Sequence, residues 1–258
     1  MSFSLFKVKI KIFDLVQRSF LLCGAYIRPK RCVISREVVD FLSPKHVGIE
    51  NILVGDGNDG SYVLPDDLDG VTHCFSPGVG PTSQFEALLF DTFGIKSFLI
   101  DASVKRVPSH RSDFFEFDEK FLGASSYGRV VSLNDWIRSK AAEIKTHDLL
   151  LQIDIEGSEY ASLLAADDEV LKRFRVIAIE LHCLDLLNVE VFANVFEQFI
   201  QKISANFVVC YARANDCCGY AKVGNYKLPR VMELTLIRKD RIVELSERPV
   251  KNFTIRNT

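Results

Sequence analysis

Two segments that lie far apart in the sequence carry residue types suited to binding a cofactor. The first, Phe75-Ser-Pro-Gly-Val-Gly80, runs from a strand-like stretch into a glycine turn. The second, Leu149-Leu-Leu-Gln-Ile-Asp-Ile-Glu-Gly157, is an apolar run that ends in carboxylates. In an open α/β sheet, ligands bind at the carboxyl ends of the strands. We therefore expect the glycines and the carboxylates to form opposite walls of one crevice.

The glycine turn is suited to an anionic group. Gly78 and Gly80 permit a tight turn and let backbone amides approach a ligand, and the helix that follows offers amide groups and a positive dipole end. We predict that Ser76, Gly78, Val79 and Gly80 contact a cofactor. An ordinary strand-to-helix turn without a ligand is the alternative.

Asp101 follows the next predicted strand, Lys96–Ile100. It lies about 20 residues beyond the glycines, where a carboxylate accepts hydrogen bonds from ribose hydroxyls in dinucleotide-binding folds. We predict that Asp101 and Ala102 contact the ribose side of the cofactor. The alternative is an aspartate that only caps a loop.

Asp154 and Glu156 end an apolar run that is typical of a central buried strand. A carboxylate at the edge of such a strand must be solvated, be paired with another group or take part in the function of the protein. If the strand is still extended there, the two side chains point the same way and form a shared acidic wall. Glu159, on the next helix, is interpreted as a charge at a helix N-terminus rather than as a catalyst.

Glu180 and His182 repeat this arrangement at the end of the following strand. Histidine titrates close to physiological pH, so His182 is a candidate proton acceptor; an edge histidine bonded to a backbone carbonyl is the alternative. Asp154, Glu180 and His182 are also a candidate set of divalent-metal ligands. We rank the metal below base catalysis because no helical His-x-x-x-His spacing is present. The predicted catalytic residues are therefore His182, Glu156 and Asp154, without a metal.

Alternating strand-like and helix-like segments begin at Asn51 and predict a parallel sheet with helices on its faces. The last two strand-like segments, Asn206–Tyr211 and Val231–Ile237, have no helix between them and should pair antiparallel. We predict an α/β fold with a Rossmann-like, doubly wound sheet that is mostly parallel and has a C-terminal antiparallel hairpin strand. Residues 1–50 are assigned to an N-terminal helical extension and residues 51–258 to one catalytic domain.

Composition narrows the function classes. The chain has 258 residues, 48% hydrophobic and 26% charged, and a formal net charge of −2 with both signs interleaved, so nucleic acid is not an expected partner. Its seven cysteines form no Cys-x-x-Cys pair, which favours a reducing, cytoplasmic location. No apolar stretch is long enough to span a membrane, although the basic, apolar segment 3–31 permits peripheral membrane contact. No oligomeric state is predicted.

The motifs together resemble the FkbM-type methyltransferases. The resemblance extends over roughly residues 51–239 and rests on Phe75-Ser-Pro-Gly-Val-Gly80, Val131-Ser-Leu-Asn-Asp-Trp136, Leu151-Gln-Ile-Asp-Ile-Glu-Gly-Ser-Glu159 and Ile179-Glu-Leu-His182. It implies a class I methyltransferase fold with S-adenosylmethionine as cofactor. The reaction that it implies is O-methylation of a hydroxyl on a sugar, glycolipid or related small molecule. Ser61 and Arg213-Ala-Asn-Asp216 depart from the family pattern and bear on the identity of the acceptor.

Two other function classes remain open at this stage. A non-catalytic binding module could keep the methyltransferase fold, although intact Gly78, Gly80, Asp101 and Asp154 disfavour it. A nicotinamide-dependent oxidoreductase is disfavoured by the absence of a third glycine in the turn and by the terminal hairpin.

Overall fold

A seven-stranded sheet forms the centre of the protein, seen here in a computed structural model. The structure describes residues 34–57, 60–80, 83–104, 113–144, 146–215, 218–247 and 256–257. Most of the predicted N-terminal extension, and all of its basic, apolar segment, lie outside the described residues.

The first half of the chain supplies the elements that surround the glycine turn. In chain order they are α1 (Arg36–Leu42), β1 (Lys45–His46), β2 (Asn51–Val54), β3 (Tyr62–Pro65), β4 (His73–Pro77), α2 (Gln84–Phe93), β5 (Lys96–Ile100), β6 (Phe115–Asp118), β7 (Phe121–Gly123), β8 (Val130–Ser132) and α3 (Leu133–Ser139).

The second half supplies the acidic strand ends and the far edge of the sheet. Its elements are β9 (Leu149–Ile153), α4 (Glu159–Ala165), α5 (Asp168–Leu171), β10 (Phe174–Leu181), α6 (Glu190–Asn206), β11 (Phe207–Ala214), β12 (Tyr220–Val223), β13 (Tyr226–Pro229), β14 (Met232–Arg238), β15 (Ser246–Glu247) and β16 (Arg256–Asn257). Short 3₁₀ helices lie at Leu184–Asn188 and Lys239–Arg241.

The strands of the main sheet are arranged in the order β11-β14-β10-β9-β4-β5-β6. Pairing is parallel from β10 across to β6, and β14 is antiparallel to both of its neighbours. The chain winds outward from β4 to β6, returns to β9 beside β4, and then continues in the opposite direction. This reversal places a topological switch point between β4 and β9, where ligands bind in such sheets. The predicted α/β class with a mostly parallel sheet is confirmed.

The antiparallel pairing of the last two long strands is also confirmed, with an arrangement that the sequence does not specify. β14 pairs with β11, as in Val209 opposite Leu236, and it also pairs with β10, as in Ile179 opposite Leu234. β14, which is the last strand of the main sheet in chain order, is therefore inserted between two earlier strands instead of being added at the edge. The irregular segment that precedes it forms the small β12–β13 hairpin.

Two apolar layers cover the sheet because side chains alternate between its faces along each strand. On β9, Leu149, Leu151 and Ile153 belong to the larger core, which also contains side chains of α3, α4 and α6. Leu150 belongs to the second core, which α2 and the β2–β3 hairpin cover. All five residues of β9 are buried, and four of them are apolar, as expected for a central parallel strand; the exception is Gln152.

Two helix predictions need correction. The spacing of Ser83 and Glu86 predicts a capping box for α2, but Ser83 makes no side-chain capping bond, and Glu86 is buried against Ser76. The sequence also predicts a single helix from about Ser158 to Phe174, and this is wrong: α4 ends at Ala165, because the extended backbone of Ala166 (ψ 140°) interrupts the helix before α5 begins. The predicted cap at Ser132 is confirmed, since its side chain accepts a hydrogen bond from Asp135 N.

Helix α1 packs into the main core. Its Val38, Phe41 and Leu42 are buried there, and Phe41 makes edge contacts with the rings of Phe196 and Phe199 on α6. The packing therefore continues across residue 50, the predicted domain boundary. None of the helices in the described ranges has the length and apolarity needed to cross a bilayer.

Candidate functional site

A cavity of about 820 Å³ opens at the carboxyl ends of β4, β5 and β9. Its lining includes Gly78, Val79, Gly80, Asp101, Asp154 and Glu156. The glycine turn and the acidic residues, far apart in the sequence, therefore contribute to the walls of one crevice, as the sequence predicts.

The glycine turn is fixed by its contact with the end of β9. Gly78 has a φ of 84°, and a Cβ placed on it would lie 1.5 Å from the carbonyl oxygen of Asp154. Asp154 N in turn donates a hydrogen bond to the carbonyl of Pro77 (3.3 Å). Gly80 has a φ of 63°, but a Cβ there would meet nothing within 4 Å. Close packing thus explains the first glycine, and backbone conformation explains the second.

Asp101 connects the glycine turn to the loop after β5. Its Oδ2 accepts a hydrogen bond from Gly80 N (3.2 Å), and its Oδ1 accepts bonds from the backbone and the hydroxyl of Ser103 (2.7 and 2.6 Å). The side chain therefore caps its own loop, which was the alternative interpretation, while it also lines the cavity. Oδ1 thus already accepts two hydrogen bonds, whereas Oδ2 has a further lone pair that can accept a ligand hydroxyl.

The chain turns sharply after β9. The strand ends at Ile153, and Glu156 adopts a left-handed φ of 56°, so the extended backbone expected at residues 154–156 is not present. The acidic pair nevertheless faces a common neighbour: Asp154 Oδ1 and Glu156 Oε2 lie 3.8 and 3.5 Å from His182 Nε2. The Glu156 side chain is 88% exposed, whereas that of Asp154 is 27% exposed.

Glu159 contacts the Nδ1 side of the His182 ring, away from the Nε2 atom that faces Asp154 and Glu156. It is fully buried, and its Oε1 lies 3.0 Å from His182 Nδ1. The same oxygen accepts hydrogen bonds from Ile155 N and Gly157 N, so one carboxylate fixes both the turn after β9 and the histidine after β10. Tyr160 adds a hydrogen bond from its hydroxyl to the His182 carbonyl (2.6 Å).

The electrostatics of this group favour bound protons. Burial raises the pKa of Asp154 to about 8, and the charges of Glu180 and Glu156 act in the same direction. Burial lowers the pKa of His182, but the hydrogen bond and charge of Glu159, together with the charges of Asp154 and Glu180, outweigh it and raise the pKa to about 9. At pH 7 the imidazole is therefore mostly protonated.

Glu180 completes the acidic group. It is the penultimate residue of β10, is 6% exposed, and accepts a hydrogen bond from Asn215 Nδ2 (2.7 Å). Asp154, Glu180 and His182 each offer one ligand atom, and these three atoms lie within 4.8 Å of one another. The set of potential metal ligands noted in the sequence is thus brought together.

Two predicted cofactor residues do not line the cavity. Ser76 is fully buried beneath the turn, where its hydroxyl contacts Glu86 and Gln152 Oε1 (2.6 Å). Ala102 lies just beyond Asp101, and its carbonyl accepts a hydrogen bond from Arg129. Burial also raises the pKa of the Glu86 carboxyl. Ser76 therefore occupies a buried polar network, which Gln152 extends to the Tyr62 hydroxyl (2.7 Å).

The mouth of the cavity carries apolar side chains. Phe121 and Tyr127 are 47% and 69% exposed, and both line the opening, as does buried Leu122. The irregular pattern between Pro108 and Arg129 predicts a short strand and a site-covering loop; the described part of that region contains β6 and β7 and borders the site. Residues 105–112 lie outside the described residues.

Sequence reasoning missed two contributors. Glu159 was interpreted as a helix-terminal charge, although it orients His182, and Asn215 was not considered for Glu180. Both contacts join residues that are far apart in the chain, so no local pattern indicates them. The Ile-Asp-Ile-Glu-Gly-Ser-Glu motif of the resemblance, which ends at Glu159, was the available signal.

A second cavity, of about 700 Å³, lies between α1, α6 and β11. None of the predicted site residues lines it, and it is remote from the carboxyl ends of β4, β5 and β9.

No protein-family model matches the chain, and no curated protein is significantly similar to it in sequence.

Proposed function

We propose that the protein is an S-adenosylmethionine-dependent O-methyltransferase that acts on a hydroxyl of a sugar, a glycolipid or a related small molecule. The observation that carries this proposal is that Gly80, Asp101 and Asp154 line one cavity beside the switch point of a doubly wound sheet. The antiparallel strand β14, which comes from the C-terminal part of the chain, agrees with the resemblance to class I methyltransferases. The proposed location is the cytoplasm.

Binding follows from the two walls of the crevice. The backbone amide of Val79 in the turn suits the carboxylate of the methionine moiety, and the remaining lone pair of Asp101 Oδ2 suits a ribose hydroxyl. The apolar mouth formed by Phe121, Leu122 and Tyr127 then borders the space for the acceptor.

The transfer itself needs positioning and one proton acceptor. Bound S-adenosylmethionine would supply the methyl group from its sulfonium centre, and the crevice would hold the acceptor oxygen in line with the carbon–sulfur bond, whose electron pair would stay with sulfur as the oxygen–carbon bond forms. The products are the methyl ether and neutral S-adenosylhomocysteine. The hydroxyl proton passes to Glu156 or, once the imidazole has lost its own proton, to His182. Asp154 borders the same space.

The first test is cofactor binding by calorimetry. Asp101→Ala removes the bonds to Gly80 and Ser103 as well as the ribose acceptor, so we expect S-adenosylmethionine affinity to fall at least tenfold. Asp118→Ala is the matched control, because this exposed aspartate ends the neighbouring strand β6 and does not line the cavity. Unchanged affinity in Asp101→Ala would contradict the proposed crevice.

The second test is transfer of a tritiated methyl group to a panel of glycans and small hydroxylated acceptors. We expect His182→Ala to retain cofactor affinity within threefold and to lower turnover at least tenfold. A wild-type protein that binds the cofactor but methylates none of these acceptors would favour the alternative, a non-catalytic module with the same fold.

A further inference from the structure

We propose that Asp154, Glu180 and His182 bind a divalent cation at the inner edge of the candidate site. The three residues come from the carboxyl ends of the adjacent parallel strands β9 and β10. This inference concerns a metal site that direct base catalysis does not require.

The geometry suits a single ion. The three ligand atoms lie within 4.8 Å of one another. Ligands held at about 2.0–2.2 Å from one metal are at most about 4.4 Å apart, so small side-chain movements complete the coordination. Three protein ligands leave further positions for water or substrate, as in catalytic metal sites.

The imidazole is oriented as a metal ligand. Glu159 is fully buried and engages His182 Nδ1, which turns Nε2 toward Asp154 and Glu156. A carboxylate behind a ligating histidine fixes its tautomer and ring orientation in most histidine metal sites. Asn215 supports Glu180 in a similar manner through its amide (2.7 Å).

A second observation, independent of the clustering, also indicates a missing partner. Asp154 Oδ1 is enclosed from solvent and has no hydrogen-bond partner among the described residues. The His182 imidazole, whose Nε2 lies 3.8 Å from this oxygen, is too far away to hydrogen-bond to it. A buried carboxylate oxygen without a hydrogen bond is costly, and a bound cation would supply the missing partner of Asp154 Oδ1.

Two carboxylates and one imidazole favour a cation that accepts both oxygen and nitrogen ligands, and Mn²⁺ meets this requirement better than Ca²⁺. If the proposed function holds, the ion lies beside the transfer site, where it can bind the acceptor oxygen and lower the pKa of the hydroxyl. His182 is then a neutral ligand whose Nε2 proton is released to solvent when the ion binds, and Glu156 is left as the proton acceptor.

The test is a titration of the full chain with MnCl₂ after chelator treatment, without S-adenosylmethionine or acceptor. Free Mn²⁺ is followed by electron paramagnetic resonance. We expect one ion per wild-type chain and a dissociation constant at least tenfold weaker in Asp154→Asn and in Glu180→Gln. At the same Mn²⁺ concentration the ion should also raise the melting temperature of the wild type by more than that of these variants, whose folding is checked by circular dichroism.

Asp101→Ala distinguishes this inference from the proposed function. It should keep wild-type Mn²⁺ affinity while it loses S-adenosylmethionine affinity, and Glu180→Gln should show the reverse pattern. A folded wild-type chain that binds no Mn²⁺ at millimolar concentration would overturn the metal site. So would a folded Glu180→Gln variant with wild-type Mn²⁺ affinity. Neither result would affect the calorimetric test of cofactor binding.

Discussion

Gly78 and Gly80 belong to the same turn but are glycines for different reasons. Both have positive φ, yet only Gly78 lies against another part of the chain, the carbonyl of Asp154. Two residues that the sequence treats as one motif therefore have separable roles. Gly78 packs the turn against the acidic end of β9, and Gly80 allows the backbone to change direction where a Cβ would meet no other atom within 4 Å.

Alanine at these two positions should consequently have unequal effects. Gly78→Ala places a Cβ 1.5 Å from a backbone oxygen, so we expect a loss of at least about 3 kcal/mol in the free energy of unfolding. Gly80→Ala meets no atom within 4 Å and should cost about 1 kcal/mol from its backbone conformation alone. Urea denaturation measures both, and equal losses would contradict the assigned contact.

At the scale of elements, the end of the sheet opposite the candidate site contains an ion-pair network. Asp148, just before β9, accepts hydrogen bonds from Arg175 on β10 (2.6 Å) and Arg238 on β14 (2.7 Å). The Arg175 side chain is 6% exposed, and it also donates to the carbonyls of Asp67 and Asp69. Asp148 thus connects the amino ends of β9 and β10 with the carboxyl end of β14.

Asp148→Asn should destabilise the protein by about 2 kcal/mol at pH 7, because buried Arg175 loses the nearer of its two carboxylate partners in the described ranges and retains only Asp67 (3.5 Å). Partial burial raises the pKa of Asp148, but the hydrogen bonds from Arg175 and Arg238 outweigh it and hold the pKa below its ordinary value. This stabilisation is therefore present above the unfolded-state pKa of about 3.9 and is lost as pH falls through the lower folded-state value.

Chemical denaturation over a pH series checks this prediction. The stability difference between wild type and Asp148→Asn should be constant above about pH 5 and should narrow below about pH 4. Asp168→Asn is the control: its carboxylate is 66% exposed and lies 4.0 Å from Lys202, so its loss should cost no more than about 0.5 kcal/mol. A difference that grows as the pH falls would contradict the assigned network.

Local elements could be predicted where one short pattern decides them. β5 was predicted with its observed bounds, and α2 ends before Gly94 because that residue takes a left-handed φ of 69°. The order of strands at the far edge could not be predicted, since the pairing of β14 with both β10 and β11 depends on contacts between distant segments. Glu159 was misinterpreted for the same reason: its partner His182 lies on another strand end.

At the scale of the whole molecule, helix α1 is part of the domain that carries the site. Phe41 is 9% exposed and packs on α6, so Phe41→Ala should lower the free energy of unfolding by about 3 kcal/mol. Leu53→Ala, at a residue that is 54% exposed, should cost less than about 1 kcal/mol. Urea denaturation followed by tryptophan fluorescence compares them, and a near-neutral Phe41→Ala would place α1 outside the cooperative unit.

The position of β14 has a consequence for synthesis on the ribosome. When a nascent chain has emerged only as far as Pro229, β10 and β11 are both present but have no hydrogen-bonding partner between them. Their unpaired backbones are open sheet edges of the kind that promote aggregation. A stop codon before Met232 would therefore remove a strand from inside the sheet rather than shorten a tail, and we expect the truncated chain to aggregate.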